Sequence, residues 1–346
     1  MVSAVLTGAG HAFPPGVPQD ELWSDFFAGH FGGDRVARRI FESAGVRQRH
    51  TVVDPRVEDL SGWSTGARME RYAAEVMPLG KGAVAAALTA AGLSPREVGL
   101  FTVVSCTGYG TPGPDIRLAR DLDMAADVQR LFVGHMGCYA ALPALGAAAD
   151  FVVARGRPAV VLCLELTSLH VQPPTVEVQQ VVAHALFSDA AAAVVLEPGG
   201  PGLEVVDIAA RTDVSTADHM TWDVTDLGFR MGLSPRVPDV LAVHVGGMVA
   251  DLLARNGVAA DEVAGWAVHP GGPRILDVVA DRLGLPDGAL DISRAVLAEH
   301  GNCSSATVLL VLAELRRCQA PEPGRYVVAL AFGPGLTLYA ALLRAT

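Results

Sequence analysis

The chain has 346 residues, 51% hydrophobic and 18% charged, so it can bury a large core and is not intrinsically disordered. Its formal net charge of −11 argues against a nucleic-acid-binding surface, which needs clustered Lys and Arg. The five cysteines are an odd number at spacings unlike those of metal sites, which predicts reduced thiols in a cytoplasmic protein.

The N-terminus lacks the charged and long apolar regions of a signal peptide. The longest apolar run, residues 140–153, contains Pro143, Gly146 and Asp150 and is too short to span a bilayer. We therefore expect a soluble protein without membrane insertion.

Strands and helices alternate along the chain, and the strongest break is Pro198-Gly199-Gly200-Pro201-Gly202. Predicted strands are residues 2–6, 98–105, 127–133, 158–165, 190–196, 203–210, 265–268, 325–331 and 337–343. Predicted helices are residues 19–27, 64–91, 115–122, 142–153, 181–187, 237–256, 274–283 and 302–317, with another between 34 and 49. The pattern predicts an α/β fold of two duplicated halves, residues 1–200 and 201–346, with helices between and outside two sheets.

Five arginines stand out between residues 34 and 49 of this acidic chain. They indicate either an anion site or a solvated helix face. The arginines are Arg35, Arg38, Arg39, Arg47 and Arg49.

Cys138 lies where a predicted strand turns into a predicted helix. Gly134 and Gly137 allow a sharp bend, and the start of a helix favours the thiolate form of a cysteine. The pattern predicts a nucleophile of lowered pKa, although a small buried core residue remains an alternative.

Two further polar residues also lie at turns. His269 follows a predicted strand and opens a Gly-Pro turn, where a side chain projects into a cleft. Asn302 stands at a predicted helix start. A core histidine and a simple helix cap are the alternatives, but the small-residue loop at 331–337 is suited to lining the same cleft.

Five motifs follow one another along the chain: Gly137-Cys138-Tyr139-Ala140, Leu186-Phe187-Ser188-Asp189, Trp266-Ala267-Val268-His269-Pro270-Gly271-Gly272-Pro273-Arg274-Ile275-Leu276, Gly301-Asn302-Cys303-Ser304-Ser305-Ala306 and Phe332-Gly333-Pro334-Gly335-Leu336-Thr337. In sequence and in order they resemble the motifs of type III polyketide synthases, the chalcone and stilbene synthase-like enzymes of the thiolase superfamily. The related ketoacyl synthase III enzymes usually have a His-Gln-Ala-Asn element, which this chain replaces with His269-Pro270-Gly271-Gly272.

The resemblance implies a thiolase-like αβαβα fold and a homodimer. It implies that Cys138, in the first half, carries an acyl starter taken from an acyl-CoA. His269 and Asn302, in the second half, would stabilise the enolate formed when malonyl-CoA loses carbon dioxide. Iterative extension and ring closure would give a resorcinol, pyrone or related aromatic, with coenzyme A thioesters as substrates and no metal or redox cofactor.

The same resemblance assigns residues around the reacting groups. Phe187 would be the gatekeeper of the coenzyme A tunnel, and Met231 falls where many relatives have a second phenylalanine. Arg39, Gly271 and Gly272 would bind coenzyme A. Residues that would shape the substrate cavity are Cys106, Thr167, His170, Trp222, Ser304, Gly333 and Pro334.

The chain departs from the family pattern in several places. Ala141-Leu142 replaces a common glycine pair, Ala331 replaces a glycine, and Trp222 and His170 are bulkier than the usual residues. Two alternatives therefore stay open: a single-condensation ketoacyl synthase III-like acyltransferase, and a catalytically silent scaffold. The space behind Cys138 would distinguish the first alternative from an iterative enzyme.

Overall fold

A computed structural model describes residues 2–346. Many of its strands are continuous apolar runs, such as Ala159–Glu165, which is typical of strands covered on both faces. The strands of the described chain are β1 Ala4–Ala12, β2 Gly16–Pro18, β3 Gln48–His50, β4 Leu100–Val104, β5 Gln129–Val133, β6 Ala159–Glu165, β7 Ala190–Pro198, β8 Leu203–Thr212, β9 Met220–Thr225, β10 Gly228–Leu233, β11 Val263–Val268, β12 Tyr326–Gly333 and β13 Thr337–Ala345.

Local signals set the ends of several helices. The Ser64 side chain caps the 27-residue helix that ends at Gly92, whose φ of +71° favours glycine. The α-helices are α1 Gln19–Leu22, α2 Ala28–His30, α3 Arg35–Ser43, α4 Thr65–Ala91, α5 Pro114–Asp121, α6 Ala141–Arg155, α7 Val178–Leu186, α8 Val237–Arg255, α9 Pro273–Leu283, α10 Asp291–His300 and α11 Ala306–Cys318, with a π-helical turn at Trp23–Phe27.

Nine strands form one mixed sheet in the order β11-β12-β13-β8-β1-β7-β6-β4-β5. The two halves meet where β1 pairs briefly with β8, Val5 opposite Glu204 and Leu6 opposite Leu203. The predicted sheets of the two halves are therefore continuous with each other. The pairing is possible because β8 starts directly after the Gly-Pro turn that follows β7.

The helices form layers on both sides of this sheet. The apolar helices α6 and α11 pack between the two halves, α4 covers the outer face of the first half, and α8 and α9 cover that of the second. This arrangement confirms the predicted layered α/β fold class.

The structure differs from the sequence prediction mainly at polar elements. The hairpin β9–β10 and helix α10 were not predicted, and the helix after Asn302 begins only at Ala306. Residues 302–305 instead form a turn in which Ser304 has a φ of +50°. This turn belongs to the site described below.

Two helical stretches, Gly137–Arg155 and Val237–Arg255, are long and apolar enough to cross a membrane by length and composition alone. The first packs between the two halves of the sheet, and the second packs on β8, β13 and α9. Neither is a membrane span of note, because each is a packed helix of the layered fold.

Candidate active site

Cys138 lies in a single helical turn, Gly137–Tyr139, between β5 and α6. Gly137 has a φ of +72°, and a Cβ at this position would lie 2.6 Å from Cδ of Pro334. A glycine is therefore required both by the bend and by the loop after β12. The turn leaves Cys138 only 6% exposed.

The end of β12 packs directly on this turn. A Cβ at Gly333 would lie 2.8 Å from Cδ1 of Tyr139 and 3.2 Å from the backbone nitrogen of Cys138. Gly333 therefore keeps side-chain atoms away from the Cys138 N–H group.

His269 directly follows β11 and is 1% exposed. Its backbone N–H donates to the carbonyl of Leu330 (2.8 Å), and its carbonyl accepts from Gly271 (3.0 Å). Within residues 2–346, neither ring nitrogen of His269 has a hydrogen-bond partner. The backbone is thus fixed while both ring nitrogens remain available to a reacting group.

Asn302 is held by the segment that carries Phe187. Its N–H donates to the carbonyl of Leu186 (2.8 Å), and its carbonyl accepts from Ser188 (3.0 Å). The Oδ1 atom accepts from the Ser304 N–H (2.9 Å), which makes Nδ2 the end of the amide that can donate to a substrate.

Cys138, His269 and Asn302 line one cavity of about 730 Å³. The structure therefore brings together three residues that are far apart in sequence. Phe187, Met231, Gly271 and Gly272 line the same cavity.

The pKa of the cysteine differs from the sequence prediction. Burial raises the pKa of the Cys138 thiol to about 12 and lowers the pKa of His269 to about 3. Desolvation thus outweighs the helix start, and both side chains are held in their neutral forms. A proton transfer from the thiol to the imidazole would create both charges together.

A second, narrow chamber of about 20 Å³ lies behind Cys138. Trp222 forms one wall, and its Nε1–H donates to the carbonyl of Cys106 (2.8 Å). The residues of the predicted set that line this chamber are Cys106, Thr167, Phe187, Trp222, Met231, Ser304 and Pro334.

His170 packs against Trp222, the wall of this chamber. Its ring stacks on Phe229 at 4.5 Å and meets Trp222 edge-on at 5.4 Å. Nε2 lies 2.7 Å from the Thr107 carbonyl, and Nδ1 accepts from the Phe229 N–H at 2.9 Å. These partners require the neutral tautomer protonated at Nε2, in agreement with burial, which lowers the pKa of His170 to about 3.

Glu165 is a buried acid next to this chamber that the sequence analysis missed. Its carboxylate accepts hydrogen bonds from Ser305 (2.5 Å), Thr107 (2.9 Å) and the Cys106 N–H (3.0 Å). Burial raises the pKa of Glu165, and its negative charge helps to raise the pKa of Cys106. A glutamate ending an otherwise apolar predicted strand was the available signal.

Arg39 lies exposed on α3. Ile40, Ser43 and Ala44 of α3 line the large cavity, whereas Arg39 does not. Arg274, at the start of α9, does line it, and the sequence analysis did not single it out. The structure thus places Arg274 in the cavity lining and Arg39 on the adjacent helix α3, next in sequence to the lining residue Ile40.

Comparison with known proteins now identifies the family. Residues 3–200 match the family model "Chalcone and stilbene synthases, N-terminal domain", and residues 206–346 match the corresponding C-terminal domain. The chain belongs to the chalcone and stilbene synthase family. It is a type III polyketide synthase, an acyltransferase that extends an acyl group with malonyl-CoA by decarboxylative Claisen condensation.

Bacterial relatives align with most of this chain. It is 38% identical over 324 residues to 1,3,6,8-tetrahydroxynaphthalene synthase of Streptomyces peucetius subsp. caesius, covering 90% of this chain and 85% of that protein. It is 31% identical to 3,5-dihydroxyphenylacetyl-CoA synthase of Streptomyces toyocaensis, covering 90% and 83%. The crystal structure of tetrahydroxynaphthalene synthase from Streptomyces coelicolor A3(2) superimposes with a TM-score of 0.93, at 28% identity and 99% coverage of both chains.

Proposed function

We propose that Cys138 is the nucleophile of this polyketide synthase. His269 takes the thiol proton, and the thiolate attacks the carbonyl carbon of an acyl-CoA, forming the acyl-cysteine and releasing coenzyme A. The backbone N–H of Cys138, which Gly333 leaves clear of side-chain atoms, suits the negative oxygen formed during that attack.

His269 and Asn302 then act on malonyl-CoA. The N–H of the neutral His269 ring and Nδ2 of Asn302 donate to its thioester carbonyl, so the electron pair left behind when carbon dioxide departs forms a stabilised enolate. The enolate carbon attacks the acyl-cysteine carbonyl and expels the Cys138 thiolate. This chemistry uses protein side chains and two thioesters, so we propose that no metal or redox cofactor takes part.

The main observation behind this proposal is that the buried Cys138 thiol, the unpartnered His269 imidazole and the oriented Asn302 amide line one cavity. The test is incubation with ¹³C-labelled malonyl-CoA and a panel of acyl-CoAs, with products identified by mass. Products containing several malonyl units support iterative extension. A single unit in every product would instead support the ketoacyl synthase III-like alternative.

We propose a small aromatic product. The wall made by Trp222 leaves little space behind Cys138, which suits a short starter and an early ring closure. The relatives named for tetrahydroxynaphthalene and 3,5-dihydroxyphenylacetyl-CoA are in keeping with aromatic products of this size.

Replacing Trp222 with glycine is expected to change product size more than rate. The indole forms the chamber wall, so its loss opens space for a longer starter or more extensions while decarboxylation of malonyl-CoA continues. Product mass profiles and thermal melts check this. Trp266→Gly, which alters a tryptophan packed on the outer core of the second half, is the control for lost stability alone. An unchanged product profile in Trp222→Gly would contradict the wall assignment.

We propose that Arg39 and Arg274 bind the coenzyme A phosphates, together with the backbone of Gly271 and Gly272. Because this contact is made in both the ground state and the transition state, Arg39→Ala and Arg274→Ala should each raise KM for malonyl-CoA several-fold with little effect on kcat. Arg38→Ala is the matched control, since Arg38 pairs with Glu42 on the same helix. An unchanged KM in the double variant would exclude the assignment.

We propose that the enzyme is a cytoplasmic homodimer. Strand β5 ends the sheet, and its Leu131 and Phe132 side chains are exposed, so a second copy could extend the sheet and cover them. All five cysteines of the described chain are free, which suits a reducing compartment. Sedimentation equilibrium tests the dimer.

A further inference from the structure

A third space lies beyond the wall formed by Trp222 and Phe187, and we name it the Arg49 chamber after its charged residue. It has a volume of about 50 Å³, and Arg49 and Thr51 are among its lining residues. It shares Thr167, Phe187, Trp222 and Met231 with the narrow chamber behind Cys138. One layer of side chains therefore separates it from the space next to the nucleophile.

Arg49 lines this chamber, and one edge of its guanidinium has no hydrogen-bond partner. The residue is 5% exposed, and its Nη1 donates to the carbonyls of His184 and Phe187. Within residues 2–346, its Nε and Nη2 atoms have no hydrogen-bond partner. These two nitrogens form one side of the planar guanidinium, the side that can donate two parallel hydrogen bonds to a carboxylate.

No carboxylate of the described chain forms a salt bridge with Arg49. Asp189 is close enough to favour its charge, but the Asp189 oxygens accept from Val52, Thr167 and Ser168 instead. Burial lowers the pKa of Arg49 to about 9, so the side chain remains a cation at neutral pH. A buried cation without a bonded anion is costly, and such groups usually have a partner.

A second polar group in the same chamber also lacks a partner. The hydroxyl of Thr51 is buried and, among residues 2–346, has no hydrogen-bond partner. Arg49 and Thr51, two lining residues of one chamber, thus have three donor atoms without a partner, and the chamber volume of about 50 Å³ is enough for a carboxylate group.

We propose that Arg49 and Thr51 bind a carboxylate at the far end of the acyl group carried by Cys138. The substrate class is then an acyl-CoA with a second, terminal carboxylate: the monothioester of a dicarboxylic acid. The chain reaches the Arg49 chamber past Met231, whose flexible thioether is the part of the wall best able to change rotamer. This inference rests on the proposed acylation of Cys138.

The test measures acylation of Cys138 by intact-protein mass, without malonyl-CoA. Three pairs of matched length are compared: succinyl-CoA with butyryl-CoA, glutaryl-CoA with valeryl-CoA, and adipoyl-CoA with hexanoyl-CoA. For at least one pair, the dicarboxylic member should acylate the wild-type enzyme at least tenfold faster than its uncharged counterpart. Arg49→Met should remove this preference, and Thr51→Val should reduce it several-fold.

Thr102→Val is the matched control. The Thr102 hydroxyl on β4 is also buried and, within residues 2–346, unpartnered, but Thr102 does not line the Arg49 chamber. Thr102→Val should keep the full preference for the dicarboxylic thioester.

Equal acylation by both members of every pair would overturn the inference, as would a preference that survives in Arg49→Met. If circular dichroism shows that Arg49→Met does not fold, Thr51→Val decides, and an unchanged preference in that variant overturns the inference. If no acyl-CoA modifies Cys138, the proposed nucleophile itself is wrong. That outcome is distinct from acylation without preference, which removes only the role of Arg49.

Discussion

Replacing Cys138 with alanine is expected to reduce polyketide formation by more than about 10³-fold, because no thiolate remains to carry the growing chain. Malonyl-CoA should still lose carbon dioxide, and acetyl-CoA should accumulate. His269 and Asn302 remain in place in the cavity, and these two residues are the proposed donors to the malonyl thioester. The variant therefore separates acyl transfer from decarboxylation.

Product formation is measured by chromatography, and decarboxylation by release of labelled carbon dioxide. Cys318→Ala is the control, because Cys318 is exposed at the end of α11 and should be dispensable. If Cys138→Ala loses decarboxylation to the same degree as condensation, the division of roles between the three residues is wrong.

Replacing Arg68 with methionine is expected to destabilise the protein by several kcal/mol, because each buried acceptor left unsatisfied costs about 1–3 kcal/mol. Arg68 is fully buried in α4, and its bonded partners are all backbone carbonyls. Methionine fills similar space but leaves these carbonyls without their donor. The carbonyls belong to Leu60, Ser61, Trp63, Leu169 and Val171.

The measurement is urea unfolding together with a thermal melt. Arg71→Met is the matched control on the same helix, because Arg71 is partly exposed and pairs with Glu58 and Glu75. Its expected effect is below about 1 kcal/mol. Since Leu169 and Val171 flank His170, Arg68→Met should also loosen the support of Trp222. Equal stability of the two variants would contradict this account of Arg68.

Much of the fold could be predicted from sequence because its strands and central helices are long apolar segments between glycine and proline turns. The strand at 159–165 and the helix at 237–255 are examples, since burial on several sides leaves a strong pattern. The β9–β10 hairpin was missed because most of its residues are only partly buried and because polar and apolar types are mixed along it.

The three proposed reacting groups could be singled out because each lies at a turn, a local arrangement visible in the sequence. Cys138 and His269 follow strands, and Asn302 follows helix α10. Burial depends on residues that are distant in the sequence, so the sequence did not reveal it for Cys138 or for Arg49. The pKa of Cys138 was predicted to fall, because the helix start is evident in the sequence whereas the desolvating walls are not. Arg49 was grouped with four other arginines, although β3 places it inside the protein, next to Phe27.

The bridge between Phe187 and Asn302 has a consequence for how this enzyme could acquire new products. The two residues share a pair of backbone hydrogen bonds across the segment 186–188, so a shift of one main chain moves the other. Inserting or deleting a residue near Phe187 should therefore displace the Asn302 amide, the proposed donor to the malonyl thioester, and inactivate the enzyme. Substituting the side chains of Phe187, Trp222 or Met231 leaves those backbone bonds unchanged. We therefore expect this enzyme to acquire new products through point substitutions and not through changes in loop length.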